Sequence, residues 1–111
     1  MEALSREELL KMYDWVGSFH EGLAPVRKDR EYFHIHPDGT PAYDERYTFA
    51  GDFSEGLATA CKGSEWFHIR TDGTPAYQPI FTLTGHFIGG TAQVGLGDEI
   101  FRIKPDGTKV D

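Results

Sequence analysis

The chain has 111 residues, enough for one domain with a single modest core, and its 39% hydrophobic and 14% aromatic content excludes wholesale disorder. A formal charge of −7, with eleven Lys and Arg scattered among eighteen acids, excludes a nucleic-acid partner and sets the surface against anionic lipid, because phosphate binding needs a clustered basic footprint. The single cysteine, Cys61, excludes an intramolecular disulfide framework; no apolar run nears the ~20 residues of a membrane helix, and MEALSREELLKM lacks the regions of a signal peptide, so a cytoplasmic setting is expected.

The first element lies in residues 1–12. Ser5 followed by Glu8 fits a capping box, and Leu9, Leu10 and Met12 then supply an apolar stripe, which predicts about two turns of amphipathic helix. From Tyr13 onward the chain repeats itself. Residues 13–46 align without gaps on 47–80 with eighteen of thirty-four positions identical, and 81–111 form a more divergent third copy that stops three residues short. Ten positions are the same in all three copies, among them Gly17/Gly51/Gly85, Phe19/Phe53/Phe87 and Asp38/Asp72/Asp106. The helix occupies the place where a preceding copy would put its last segment, and is expected to cap the first repeat within one domain.

Each copy divides into four short β segments. Tyr13–Val16 alternates aromatic and smaller residues with a period of two and ends at Gly17-x-Phe19-x-x-Gly22, where the glycines suit positive φ and the aromatic serves as a loop anchor. Leu23–Arg27 follows, with Ala24/Ala58/Ala92 shared. Glu31–His36 carries a Phe33/Ile35 row found in every copy, which marks a buried face. The turn Pro37-Asp38-Gly39-Thr40 then predicts a tight hairpin, with proline presetting φ, aspartate bonding its own turn and glycine left-handed. A fourth segment, Thr40–Tyr43, runs back antiparallel, demoted to an edge or short strand by Pro41 and Pro75. Short connections throughout predict an all-β, antiparallel meander of three 34-residue repeats, an open or rolled sheet or solenoid, with a β-trefoil-like barrel as the alternative.

Phe19-His20-Glu21-Gly22-Leu23-Ala24-Pro25-Val26, echoed by Phe53-Ser54-Glu55-Gly56-Leu57-Ala58, resembles the first half of the bacterial WG-repeat pattern F-x-x-G-L-A-x-V. Trp66, Ile69 and Gly73 fall on the Trp, Ile and Gly of its second half, W-G-Y-I-D-x-x-G. The namesake glycine is replaced by Phe33, Phe67 and Phe101, which marks a divergent branch. The resemblance implies a β-rich repeat, often an accessory segment of larger bacterial proteins, with no catalytic residues to carry over. A weaker resemblance joins Tyr32-Phe33-His34-Ile35 to the aromatic hairpins of secreted cell-wall and choline-binding modules, whose repeats are shorter.

Chemistry-bearing candidates are few. His34 and His36 stand two apart on one strand face, a spacing zinc sites use, but their counterparts are His68 and Arg70, then Arg102 and Lys104. That exchange argues for a polar, solvent-facing row rather than a metal site, and no cofactor is expected. Asp38, Asp72 and Asp106 are explained by their turns, and Glu31, Glu65 and Glu99 have no nucleophile beside them, so no catalytic residue and no enzyme is expected. Tyr13, Trp15, Tyr47, Phe49, Phe81 and Leu83 could line a ligand groove, but at this spacing they read as core. The expected binding surface is the third-segment row of Tyr32, His34, His36, Trp66, His68, Arg70, Arg102 and Lys104, where aromatics beside cations suit a protein partner or fused domain, or alternatively a carbohydrate or cell-wall ligand. Self-association through the C-terminal edge is a further expectation.

Overall fold

Each copy builds one small antiparallel sheet because its first three segments are β-formers joined by turns too short for anything but hairpins. A computed structural model describes residues 2–110; Met1 of the expected capping segment and Asp111 of the expected third repeat lie outside the described residues. After helix α1 (Arg6–Met12) come β1 (Trp15–Val16), β2 (Ala24–Lys28), β3 (Glu31–Ile35), β4 (Phe49–Ser54), β5 (Leu57–Lys62), β6 (Glu65–Ile69), β7 (Leu83–Thr84), β8 (Ala92–Leu96) and β9 (Glu99–Ile103). They form three sheets ordered β1-β2-β3, β4-β5-β6 and β7-β8-β9. Single bridges stitch consecutive sheets together, Tyr32 to Tyr47 and Trp66 to Phe81, each with reciprocal backbone hydrogen bonds. The body measures 45 × 26 × 19 Å, and the described sheets follow one another without closing into a barrel. The open array holds, and the β-trefoil-like alternative does not.

Three expectations are corrected. The fourth segment is not a strand: it makes one bridge per copy, Ile35 to Pro41, Ile69 to Pro75 and Ile103 to Lys109, and leaves the ladder after it even where lysine stands in place of proline. In the first copy only Trp15 and Val16 of the expected Tyr13–Val16 strand pair; Tyr13 ends the helix. The recurrent glycines also differ in purpose. Gly22 and Gly56 are left-handed, at φ 83° and 84°, but Gly17 and Gly51 are not. They are needed for closeness, since a Cβ on Gly17 would stand 2.8 Å from Pro25 Cγ and one on Gly51 2.7 Å from Thr59 Oγ1.

The hairpin turns form as read: Asp38, Asp72 and Asp106 each accept hydrogen bonds from the backbone N–H and hydroxyl of the threonine two residues on. Those bonds hold each carboxyl below its usual range. The capping box is complete, with Glu8 N–H donating to Ser5 Oγ and Ser5 N–H to Glu8 Oε1. Helix α1 substitutes for a repeat in register. Buried Leu9 stands one repeat length before buried Tyr43, as Tyr43 does before Tyr77. Leu4 and Met12 pack over Gly39 as Tyr43 packs over Gly73 and Tyr77 over Gly107.

The core runs the length of the array. Ile35, Ile69 and Ile103 are fully buried, beside Ala24, Val26, Ala58, Ala60, Ala92 and Val94. Burying an isoleucine contributes roughly 1.5–3 kcal/mol, so one invariant column supports all three sheets. Tyr13–Phe33, Tyr47–Phe67 and Phe81–Phe101 meet edge to face at 5.7–6.0 Å, one pair per repeat.

Candidate functional site

Strand register collects one residue from each outer strand onto a single face. Trp15 pairs with Arg27 and Arg27 with Tyr32; Phe49 with Cys61 and Cys61 with Trp66; Leu83 with Gly95 and Gly95 with Ile100. The outer members therefore form a row, Trp15, Tyr32, Phe49, Trp66, Leu83 and Ile100, evenly spaced at half a repeat. Its first four rings touch in sequence, with centroids 6.1, 5.3 and 5.6 Å apart and planes inclined at 47–60°. Trp15, Phe49, Leu83 and Ile100 are exposed, and Tyr32 and Trp66 half-buried. The row is a contiguous apolar strip on a small acidic chain.

Beside the ladder runs a groove of about 680 Å³. Trp15, Phe49, Trp66 and Leu83 form its apolar wall, Gly17 and Gly51 keep its floor low, and Ser18, Asp52 and His86 stand along its rim. The Asp52 carboxylate lies 3.4 Å from His20 Nε2. Thr84 lines the same groove where the earlier copies have Val16 and Ala50, and its hydroxyl is buried without a hydrogen-bond partner among the described residues. Cys61 sits under the ladder, its thiol donating to Gly63 O, and burial pushes its pKa up, which makes it a packing residue.

The expected binding row does not exist as one surface. Tyr32 and Trp66 lie in the ladder, where Trp15, Phe49 and Leu83 join them from the set read as core; only Tyr13, Tyr47 and Phe81 of that set are buried. His34 and His68 are fully buried, contrary to the solvent-facing row. The physical reason is that the next repeat covers the second face of β3 and β6, so alternation there separates two interiors. His34 Nε2 donates to Gly51 O at 2.7 Å, leaving Nδ1 to accept from the Tyr43 hydroxyl at 2.6 Å. His68 repeats the arrangement with Gly85 O and Tyr77. Burial lowers both imidazole pKa values to about 4, despite the opposing carbonyl bonds, and raises those of Tyr43 and Tyr77.

The remaining four residues sit elsewhere. His36, Arg70 and Lys104 open the hairpin turns, each with its C=O accepting from the turn glycine. Arg70 folds onto its own turn, donating to Pro75 O and Ala76 O. His36 and Arg70 line equivalent shallow depressions in successive copies, beside Glu21 and Asp72 and beside Glu55 and Asp106. Arg102 is exposed and reaches Thr91. No group of three or more His, Cys, Asp or Glu converges among the described residues. Two signals in the sequence point to the actual arrangement. One is the half-repeat spacing of the aromatics. The other is that His34 and His68 each come with a tyrosine nine residues on, whereas the third copy has Arg102.

Two segments of the chain, residues 7–32 and 35–66, match the family model described as WG containing repeat. Neither a curated protein nor a solved structure matches the chain. No described helix is long and apolar enough to cross a membrane.

Proposed function

The chain belongs to the WG-repeat family, and from that premise we propose that it is a non-catalytic module that binds a protein segment along its aromatic ladder. The observation that carries this reading is the unbroken run Trp15–Tyr32–Phe49–Trp66, exposed on one face and rigid because each ring rests on the next. Tryptophan and tyrosine dominate protein hot spots because they bring large contact area at little entropy cost. A non-catalytic role fits the way recurrent polar groups are used here. The turn aspartates are bonded to threonines, and the two buried histidines have both ring nitrogens occupied within the fold. The partner is a separate protein or a domain fused to this segment. A cytoplasmic setting belongs to the same reading, in keeping with Cys61 as a buried, unpaired thiol.

The carbohydrate alternative meets a geometric objection. Sugars stack on flat, free ring faces, and here adjacent planes are inclined by 47–60°, each ring leaning on its neighbour. A displayed random-peptide library and a glycan array, each probed with the native chain and with Trp15→Ala and Trp66→Ala variants, separate the two. Peptide ligands lost on either substitution support the protein reading; glycan ligands with no peptide ligand overturn it.

A further inference from the structure

We infer that the turn at Glu21 and Gly22, in the β1–β2 loop, is a carboxylate-binding site that takes a glutamate side chain of a partner protein. The site is separate from the aromatic ladder and does not depend on what the ladder binds.

The same device works twice inside the fold. In the second copy the backbone N–H groups of Glu55 and Gly56 donate to the Glu21 carboxylate at 2.7 and 2.8 Å. In the third, those of Gly89 and Gly90 donate to the Glu55 carboxylate at 2.5 and 2.8 Å. Each pair belongs to a tight turn with two successive residues at positive φ, a backbone concavity that suits anions. The first copy has the same turn. His20 pairs with Leu23 as Ser54 does with Leu57 and Ile88 with Thr91. Glu21 and Gly22 adopt φ 54° and 83°, against 54° and 84° for Glu55 and Gly56. Yet their N–H groups have no hydrogen-bond partner among the described residues, and both residues are exposed.

The surroundings of this turn are open in the same way. Phe19 is 39% exposed, whereas its counterparts Phe53 and Phe87 are 2% and 1% exposed beside the imidazoles of the copies before them. Gly51 O and Gly85 O accept from those imidazoles, whereas Gly17 O accepts from nothing among the described residues. Helix α1 stands in register with the last segment of a repeat, not with the loop that carries the glutamate. The first repeat therefore presents to solvent the set of groups by which one copy holds the copy before it.

That set defines the occupant. Two convergent N–H donors suit a group with two acceptor oxygens and no donor, which is an ionised carboxylate. Both internal examples are glutamate side chains. The last repeat of a second copy does not supply one, because Gly89 stands where Glu21 and Glu55 do. At −7 the chain repels an acidic tract, so the glutamate belongs to a segment otherwise neutral or basic, with an apolar side chain to cover Phe19.

The test follows the assigned backbone amide resonances of the whole chain by NMR at fixed ionic strength. The probes are a short peptide capped at both ends, with one glutamate between leucine and lysine, the same peptide with glutamine, and the glutamine peptide with a free C-terminal carboxylate. The glutamate peptide should move the Glu21 and Gly22 amides saturably, about ten-fold more tightly than capped glutamine, and leave those of Glu55, Gly56, Gly89 and Gly90 in place. Glu55→Ala, which frees the Gly89–Gly90 pair and leaves the first turn intact, should add a second responding pair. Trp66→Ala should leave the response unchanged, which separates this site from the ladder. No response at Glu21 and Gly22, a silent Gly89–Gly90 pair in Glu55→Ala, or equal binding of glutamate and glutamine overturns the inference. Binding of the free C-terminal carboxylate alone also overturns it. So does movement of the same amides on concentrating the chain without peptide, which would assign the site to a second copy.

Discussion

His34 packs at a tilt against Phe53 of the following repeat with ring centroids 4.5 Å apart, and one repeat later His68 meets Phe87 edge to face at 4.6 Å. Each histidine thereby joins three parts of the chain: its own strand, the tyrosine nine residues later, and the first strand region of the next repeat through a glycine carbonyl. Phe19, the first-copy counterpart of Phe53, has no imidazole packed against it among the described residues and is exposed. The imidazole is thus the coupling element between repeats.

Acid should loosen that coupling in a defined window. Burial lowers the folded-state pKa of His34 and His68 from 6.5 to about 4. Above pH 6.5 both states are neutral and the contribution is complete. As pH falls from 6.5 toward 4 the unfolded chain binds protons that the folded chain refuses, so stability drops. The loss approaches about 3 kcal/mol for each histidine. Urea midpoints measured from pH 7.5 to 4.5 should fall steadily, and a His34→Asn, His68→Asn double variant should show a markedly flatter profile. A flat native profile would contradict the buried neutral assignment.

Removing one coupling imidazole should cost more than an exposed substitution does. His68→Ala leaves Gly85 O and the Tyr77 hydroxyl without their partner and opens space beside Phe87. The expected destabilisation is about 3 kcal/mol. Tyr77→Phe removes only the donor to Nδ1 and should cost about 1 kcal/mol. Thermal unfolding followed by near-ultraviolet circular dichroism distinguishes the two, and equal effects would show that packing alone carries the contact.

A second coupling runs along the opposite margin. The Glu21 carboxylate accepts from Glu55 and Gly56 N–H, and the Glu55 carboxylate from Gly89 and Gly90 N–H. Glu21 and Glu55 adopt φ 54°, a region that favours glycine, and the third copy has Gly89 at that position. Glu55→Ala should therefore destabilise by about 1 kcal/mol, losing the carboxylate while keeping the strain. Glu55→Gly should lose the same bonds but relieve the backbone, leaving stability within about 0.5 kcal/mol of the native chain. Chemical denaturation of the pair measures the difference, and Ala equal to Gly would refute it.

What could be read from sequence was what local chemistry determines. The Asp38-Gly39-Thr40 turn, the Ser5–Glu8 cap and the Phe33/Ile35 face each follow from a few neighbouring residues. The open array followed from short connections. What could not be read was the contact between copies. A period of two separates His34 from Phe33 but does not say that Phe53, in the next copy, closes over the imidazole. The same period groups Tyr47 with Phe49, and only the Tyr32–Tyr47 bridge between sheets separates buried Tyr47 from exposed Phe49, which joins Tyr32 and Trp66 outside. Gly17 and Gly51 resemble turn glycines in sequence, whereas their need is the approach of Pro25 and Thr59.

Thr84 is where a substitution should stabilise the fold. Its hydroxyl is buried without a partner among the described residues, and a buried unmet polar group costs about 1–3 kcal/mol. Valine has nearly the same shape, and Val16 fills the equivalent position in the first copy at 1% exposure. Thr84→Val should raise stability by about 1 kcal/mol, read as a higher urea midpoint with an unchanged slope. The serine variant supplies the control: Thr84→Ser keeps the hydroxyl but loses a methyl, so it should be less stable than the native chain by about 1 kcal/mol. If Thr84→Val is instead destabilised, the hydroxyl is already satisfied within the fold.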